Sequence, residues 1–124
     1  PGVTTDATDG DGDKYVDSSQ NFTIKDTVTA TGLIPGKTYD VSGELMVDNG
    51  TPQGATTGIK QTGTITAKAD GTGETVLEFP VTAQQAQDLG LVGKPIVVFE
   101  DLSLDGKKVA VHHDIKDEKQ TVYN

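Results

Sequence analysis

Residues 22–30 read FTIKDTVTA, and apolar residues alternate with polar ones except across Lys25-Asp26-Thr27. Alternation with a period of two is typical of a β-strand that has one face in a core and the other in solvent. Six further stretches, rich in Thr, Val, Ile and Tyr, have the same character. The seven predicted strands are Phe22–Ala30, Thr38–Val47, Gly58–Ala67, Glu74–Val81, Pro95–Glu100, Lys107–His112 and Gln120–Tyr123.

Turn-forming residues separate these strands. Asp105-Gly106 is the clearest two-residue hairpin, and Pro35-Gly36, Asp48-Asn49-Gly50 and Asp70-Gly71 also supply dihedrals that reverse a chain. One short helix is predicted at Thr82–Leu89, with Thr82 as its cap and Gly90 closing it. The pattern predicts an all-β, immunoglobulin-like antiparallel β-sandwich with at most one short helix.

The 124 residues are expected to form a single domain, 1–124, with a lean core. The chain has no Trp, only three Phe and three Tyr, and no Cys. A thin core often needs a covalent or metal staple, and here a disulfide is excluded.

The charge of −9 repels phosphate backbones and anionic membranes, so neither nucleic acid nor a membrane is expected as a partner. No stretch approaches the ~20 apolar residues of a membrane helix, and no signal segment opens the sequence. Because the chain starts at Pro1, we expect it to be a piece of a longer repetitive protein.

Asp9, Asp11 and Asp13 stand at alternate positions, as carboxylates do in calcium loops. However, Lys14 stands where an EF-hand loop needs Gly, and Gln20 where it needs Glu. A tight acidic turn is therefore the favoured interpretation, and a calcium ion is the minority alternative. No other cofactor is expected.

Glu100 ends the otherwise apolar run that begins at Val97, and alternation alone leaves open whether its side chain faces inward. From this motif outward the sequence resembles the Thr–Gln ester-bond domains of Gram-positive surface adhesins, which have a collagen-adhesin B-type fold. The resemblance rests on five motifs in family order: Val3–Ala7, Ile24–Val28, Gly32–Tyr39, Val97–Glu100 and His112–Val122.

The resemblance implies that the hydroxyl of Thr5, on the first strand, condenses with the side-chain amide of Gln120, on the last strand, and releases ammonia. Thr4 is the alternative donor. It also implies that Asp26, Glu100 and His112 assist.

His113 is the neighbouring alternative to His112, and adjacent strand residues face opposite sides, so one of the two imidazoles should point inward. A weak hydroxyl nucleophile needs a base, for which His112 is the natural choice. Of Asp26 and Glu100, one would be a protonated acid that polarises the amide and the other an ionised partner of the imidazole.

Such a reaction occurs once per molecule, so the domain would not be an enzyme. The resemblance further implies a stalk domain on the bacterial cell surface, anchored to the cell wall through regions outside this chain. The bond would add mechanical, thermal and proteolytic stability. Its partners would be neighbouring repeat domains in the same chain, with the host ligand bound elsewhere in the adhesin. The domain itself is expected to be a monomer.

Three alternatives compete with this interpretation. An isopeptide-linked domain would need a first-strand Lys, which Thr replaces, and the only Asn near the end is Asn124. A plain immunoglobulin-like ligand-binding module would make the polar residues incidental. A hydrolase lacks any nucleophile-elbow motif.

Overall fold

A computed structural model describes all 124 residues. Its strands, in chain order, are β1 Gly2–Asp9, β2 Phe22–Thr31, β3 Thr38–Val47, β4 Ala55–Thr66, β5 Gly73–Val81, β6 Ile96–Leu104, β7 Lys107–His112 and β8 Thr121–Val122. One sheet has the order β1-β2-β5, and the other has the order β4-β3-β6-β7, with β8 also paired to β6. All the strand pairs are antiparallel, so the predicted β-sandwich is confirmed.

Most strands lie where alternation predicts them, and the differences have local causes. Alternation does not predict β1, because only Val3 and Ala7 supply apolar side chains to its inner face. β6 runs on to Leu104, since the Asp105-Gly106 turn allows pairing up to the hairpin. The last strand shrinks to two residues because Gln120 belongs to a short 3₁₀ helix, Glu118–Gln120.

The predicted hairpin at Asp105-Gly106 is confirmed. Both residues have positive φ, 51° and 81°, as a type I′ turn requires. The turn joins β6 to β7, and an irregularity in the pairing between Leu102 and Ser103 then shifts the register by one residue, so that Glu100 lies opposite His112.

The single α-helix, α1, runs from Ala83 to Asp88 and is closed at both ends as predicted. Thr82 and Gln85 form a reciprocal capping box at its start, and Gly90, with φ 70°, follows its C-cap. Neither helix of the structure is long and apolar enough to cross a membrane.

The main core lies between the two sheets. From β6 it receives Ile96, Val98 and Leu102, and Glu100 shares their inward face. Gly43 lies opposite Glu100 on β3, and a Cβ there would be 2.9 Å from side-chain carbons of both Leu77 and Phe79. Only glycine lets the facing sheet approach this closely beside Glu100.

The acidic segment after β1 is a tight turn. The side chain of Asp9 accepts hydrogen bonds from the backbone N–H groups of Asp11 at 2.8 Å and Asp13 at 2.7 Å. No three His, Asp or Glu side chains are grouped so that they could hold a metal ion. The minority alternative of a calcium site therefore finds no ligand set here.

Candidate functional site

Four of the five buried polar side chains form one cluster within the sandwich. Thr5 is 5% exposed, and Asp26, Glu100 and Gln120 are fully buried. Burying polar groups is costly unless they hydrogen-bond to one another. These four do so, and they come from four different segments of the chain.

Thr5 points inward from β1 with Val3 and Ala7, whereas Thr4 is exposed. Thr5 pairs with Val28 across the sheet, which makes Asp26 its diagonal neighbour on the same face. The Thr5 hydroxyl donates a hydrogen bond to Asp26 Oδ1. A second hydrogen bond, of 3.0 Å, joins Thr5 Oγ1 to Glu100 Oε2 in the facing sheet.

Gln120 approaches from the opposite sheet, at a gap in the pairing of β6. On one edge of β6, β8 pairs with residues 96–97 and β7 pairs with residues 100–104. The backbone carbonyl of Val98 lies between them and accepts a hydrogen bond from Gln120 Nε2. Nε2 also donates to Glu100 Oε1 at 2.6 Å.

This contact fixes the orientation of the Gln120 amide. A backbone carbonyl only accepts hydrogen bonds, so the nitrogen of the amide must face Val98. Gln120 Oε1 is consequently buried without a partner, as is Asp26 Oδ2.

Glu100 bridges the two ends of the site, since one carboxyl oxygen contacts Thr5 and the other contacts Gln120. Burial, together with the neighbouring carboxyl of Asp26 and its charge, raises the pKa of Glu100 from 4.5 to about 11. Burial also raises the pKa of Asp26, although the nearby Glu100 carboxyl and the hydrogen bond from Thr5 lower it in part. Glu100 is therefore a neutral acid at pH 7.

His112 and His113 point to opposite sides of their sheet. His112 is the cross-strand partner of Glu100, and its Nε2 lies 2.6 Å from Asp117 Oδ2. His113 stacks on Phe99, with ring centroids 5.0 Å apart. His112 makes no hydrogen bond to Thr5, whose hydroxyl donates to Asp26 instead.

Asp117 is a site residue that sequence analysis missed. Its Oδ1 accepts from the N–H of Lys119 at 3.0 Å, and its carbonyl accepts from the N–H of Gln120 at 3.1 Å. Burial raises the pKa of Asp117, but hydrogen bonds from His112 and Lys119 outweigh burial and keep that pKa below its ordinary value. The sequence carries one signal for this role of Asp117. Asp is a preferred helix N-cap, and this Asp stands three residues before Gln120.

Asn124, the residue that an isopeptide bond would need, has another role. Its side chain accepts from Gly93 N at 2.8 Å and from Ser18 at 2.9 Å. It also donates to the carbonyls of Leu91 and Lys94. These contacts fasten the loop after α1 to the end of the chain.

Over residues 1–124 the chain matches the family described as "T-Q ester bond containing domain". The chain therefore belongs to the T-Q ester bond domain family. No curated protein matches the sequence.

Among solved structures, the chain resembles a bacterial adhesin from Mobiluncus mulieris that contains intramolecular disulfide, isopeptide and ester bond cross-links. In two crystal forms the identity is 23% and 24%, and the TM-score is 0.74 and 0.76. Each match covers 97% of this chain and 55% of the adhesin chain, so this chain spans about half the adhesin's length. A protein from Archaeoglobus fulgidus is 8% identical with a TM-score of 0.50, covering 88% of this chain and 89% of its own. At these identities the likeness shows the fold.

The raised pKa of Glu100 has a measurable effect on stability. In a Thr5→Ala chain, which lacks the hydroxyl, the folded state keeps a proton on Glu100 that the unfolded state releases above pH 4.5. The stability from this group is fully present below pH 4.5 and is lost as the pH rises towards about 11. The melting temperature should therefore fall between about pH 5 and pH 9.

The matched control is Thr5→Ala with Glu100→Gln, in which a neutral amide replaces the titrating group. Its melting temperature should depend less on pH over the same range. Equal pH dependence of the two chains would show that Glu100 ionises normally in the folded state.

Proposed function

We propose that this domain forms an intramolecular ester between Thr5 Oγ1 and the side-chain carbonyl carbon of Gln120, with release of ammonia. The observation that carries the proposal is the buried Glu100 carboxyl, which is hydrogen-bonded through one oxygen to Thr5 and through the other to Gln120. Membership of the T-Q ester bond family supports it independently.

The proton acceptor in this mechanism is Asp26. It accepts the hydrogen bond of the Thr5 hydroxyl, and in this mechanism it is the ionised carboxyl of the pair. As Thr5 Oγ1 attacks the Gln120 carbon, its proton passes to Asp26. General-base assistance of this kind contributes about 10²–10⁴-fold to a rate.

The leaving group also needs a proton, and neutral Glu100 supplies it. As the carbon–nitrogen bond of Gln120 breaks, Glu100 protonates Nε2, which departs as ammonia. A proton then moves from Asp26 to Glu100, which restores both carboxyls. The third hydrogen of the departing ammonia thus comes from Glu100, the proton of the Thr5 hydroxyl replaces it by way of Asp26, and both carboxyls end in their starting protonation states.

Folding supplies the remaining catalysis. It holds the two reactants within one water-poor cluster, which replaces a bimolecular encounter with an intramolecular one. Because Thr5 and Gln120 are consumed, the reaction is a single autocatalytic maturation step, and the domain is not an enzyme that turns over substrate.

The bond would join β1 in one sheet to the turn before β8 in the other. In the chain-entropy model, a cross-link enclosing ~100 residues stabilises a protein by about 4–5 kcal/mol. Pulling force applied to the two chain ends would pass through the ester, so the sandwich between them would not unfold. A lean, cysteine-free core would gain in thermal and proteolytic stability from this bond.

These properties suit a stalk domain of a bacterial surface adhesin. The similarity to the Mobiluncus adhesin structures supports this assignment at the level of the fold. In this proposal the domain is extracellular and is flanked by neighbouring repeat domains. Cell-wall attachment and host-ligand binding belong to other regions of the adhesin.

Intact mass under denaturing conditions tests the ester. The parent chain should weigh one ammonia less than its sequence, and Thr5→Ala and Gln120→Ala should each restore the full mass. Thr4→Ala is the matched control and should still lose ammonia, because Thr4 faces solvent. A parent chain of unmodified mass would contradict the proposal.

Comparison of Asp26→Asn with His112→Asn tests the proton acceptor. An Asn at position 26 cannot take the hydroxyl proton, so cross-linking timed after cell-free synthesis should slow by about 10²-fold or more. His112 contacts Asp117 and not Thr5, so its replacement should slow the reaction less. The reverse order would restore His112 as the base.

A further inference from the structure

Lys14 spans the two segments that carry the reactants. Its ammonium donates to the backbone carbonyl of Ala7 at 2.5 Å and to that of Lys119 at 2.8 Å. It also forms an ion pair with Asp6 at 3.2 Å. Ala7 lies two residues after Thr5 in β1, and Lys119 immediately precedes Gln120.

We propose that Lys14 is a positioning residue for ester formation, holding the Thr5 strand against the Gln120 turn until the covalent bond exists. This inference rests on the proposed function. It concerns the step before the bond forms, when only non-covalent contacts set the relative position of Thr5 and Gln120.

The sheet topology explains why such a contact is needed. β1 pairs only with β2, and Gln120 belongs to a turn attached to the other sheet through β8. No β-ladder sets the distance between them. Glu100 joins the Thr5 and Gln120 side chains. The ammonium of Lys14, which has three donors, joins the backbone of β1 to the backbone of the Gln120 turn.

The backbone of Lys14 is itself fixed next to the Gln120 segment. Its carbonyl accepts from the N–H of Tyr123 at 2.8 Å, and the N–H of Val16 donates to the carbonyl of Tyr123 at 2.9 Å. The rings of Tyr15 and Tyr123 lie 5.8 Å apart. Residues 14–16 therefore form a strap along the end of the chain, and the Lys14 side chain reaches from this strap back to β1.

The acidic turn after β1 places Lys14 next to that strand. The N–H of Asp9 donates to the carbonyl of Asp13 at 2.6 Å, and the Asp9 side chain closes the turn from within. The turn thus reverses the chain directly after β1 and brings Lys14 back beside Ala7. The Lys14 side chain is 34% exposed, so its charge keeps partial hydration while its donors are occupied.

The proposal predicts that loss of the Lys14 donors lowers the rate of ester formation but not the fraction of chains that finally carry the ester. Displacing a reactant by about 1 Å can cost as much as 10²-fold in rate. Lys14→Met, which removes all three donors, should slow cross-linking on the order of tenfold while still reaching the same final extent. After the ester forms, the covalent bond itself maintains the register.

The experiment follows the loss of ammonia by intact mass at timed intervals after cell-free synthesis of the full chain. Lys25→Met is the matched control, because the Lys25 side chain lies on the outer face of β2, opposite to the buried Asp26, and forms a 3.8 Å ion pair with exposed Glu78. It should react at the parent rate. Lys14→Arg, which keeps a cationic donor, should react faster than Lys14→Met.

Circular dichroism of each variant in a Thr5→Ala chain shows whether the uncross-linked fold is retained. If Lys14→Met does not fold, Lys14→Gln replaces it, since its shorter side chain cannot reach both carbonyls. A folded Lys14 variant that reacts at the parent rate would overturn the inference and leave the proposed ester intact. If the parent chain never loses ammonia, the proposed function fails first.

Discussion

One fully buried carboxyl, that of Glu100, holds this site together. It is the group that touches both Thr5 and Gln120, and it does so across the interface between the two sheets. An ionised carboxylate at this depth would be very costly, so the group stays neutral. Neutrality is what makes Glu100 useful, since a protonated acid can give its proton to a departing amine and recover it from Asp26.

The polar cluster weakens the unlinked fold. A buried polar atom without a partner costs about 1–3 kcal/mol, and both Asp26 and Gln120 carry one. Ester formation would remove the Thr5 hydroxyl proton and the Gln120 amide nitrogen, which already have hydrogen-bond partners, so the added stability would come from the covalent cross-link itself. A core with few aromatic residues can thus accommodate reactive polar groups during folding and replace them with a cross-link.

Much of this arrangement could be predicted from the sequence. Asp26 lies two residues from both Ile24 and Val28, so alternation puts it on their face of the strand. Glu100 lies two residues from both Val98 and Leu102 and shares their face for the same reason. Continuing the alternation of β6 to Leu104 would therefore have placed Glu100 inward. Thr5 lies two residues from both Val3 and Ala7 and therefore on their inner face of β1, whereas Thr4 lies on the outer face.

Other features arise only when distant segments meet. The gap at Val98 exists because β7 and β8 share one edge of β6, and no local pattern predicts that sharing. The pairing of His112 with Asp117 depends on the path of the chain after β7, and it leaves Asp26 as the acceptor beside Thr5. In the sequence, Lys14 is only a residue that does not fit a calcium loop. Its proposed positioning role depends on Tyr123 pairing with residues 14–16, and no local pattern predicts this contact.

Tandem mass spectrometry of a proteolytic digest of the parent chain can locate the cross-link. We expect a branched peptide in which the fragment containing Thr5 is joined to the fragment containing Gln120, with one ammonia missing and the linkage assigned to those two side chains. Separate, unmodified fragments containing Thr5 and Gln120, or a linkage through any other pair of residues, would contradict it.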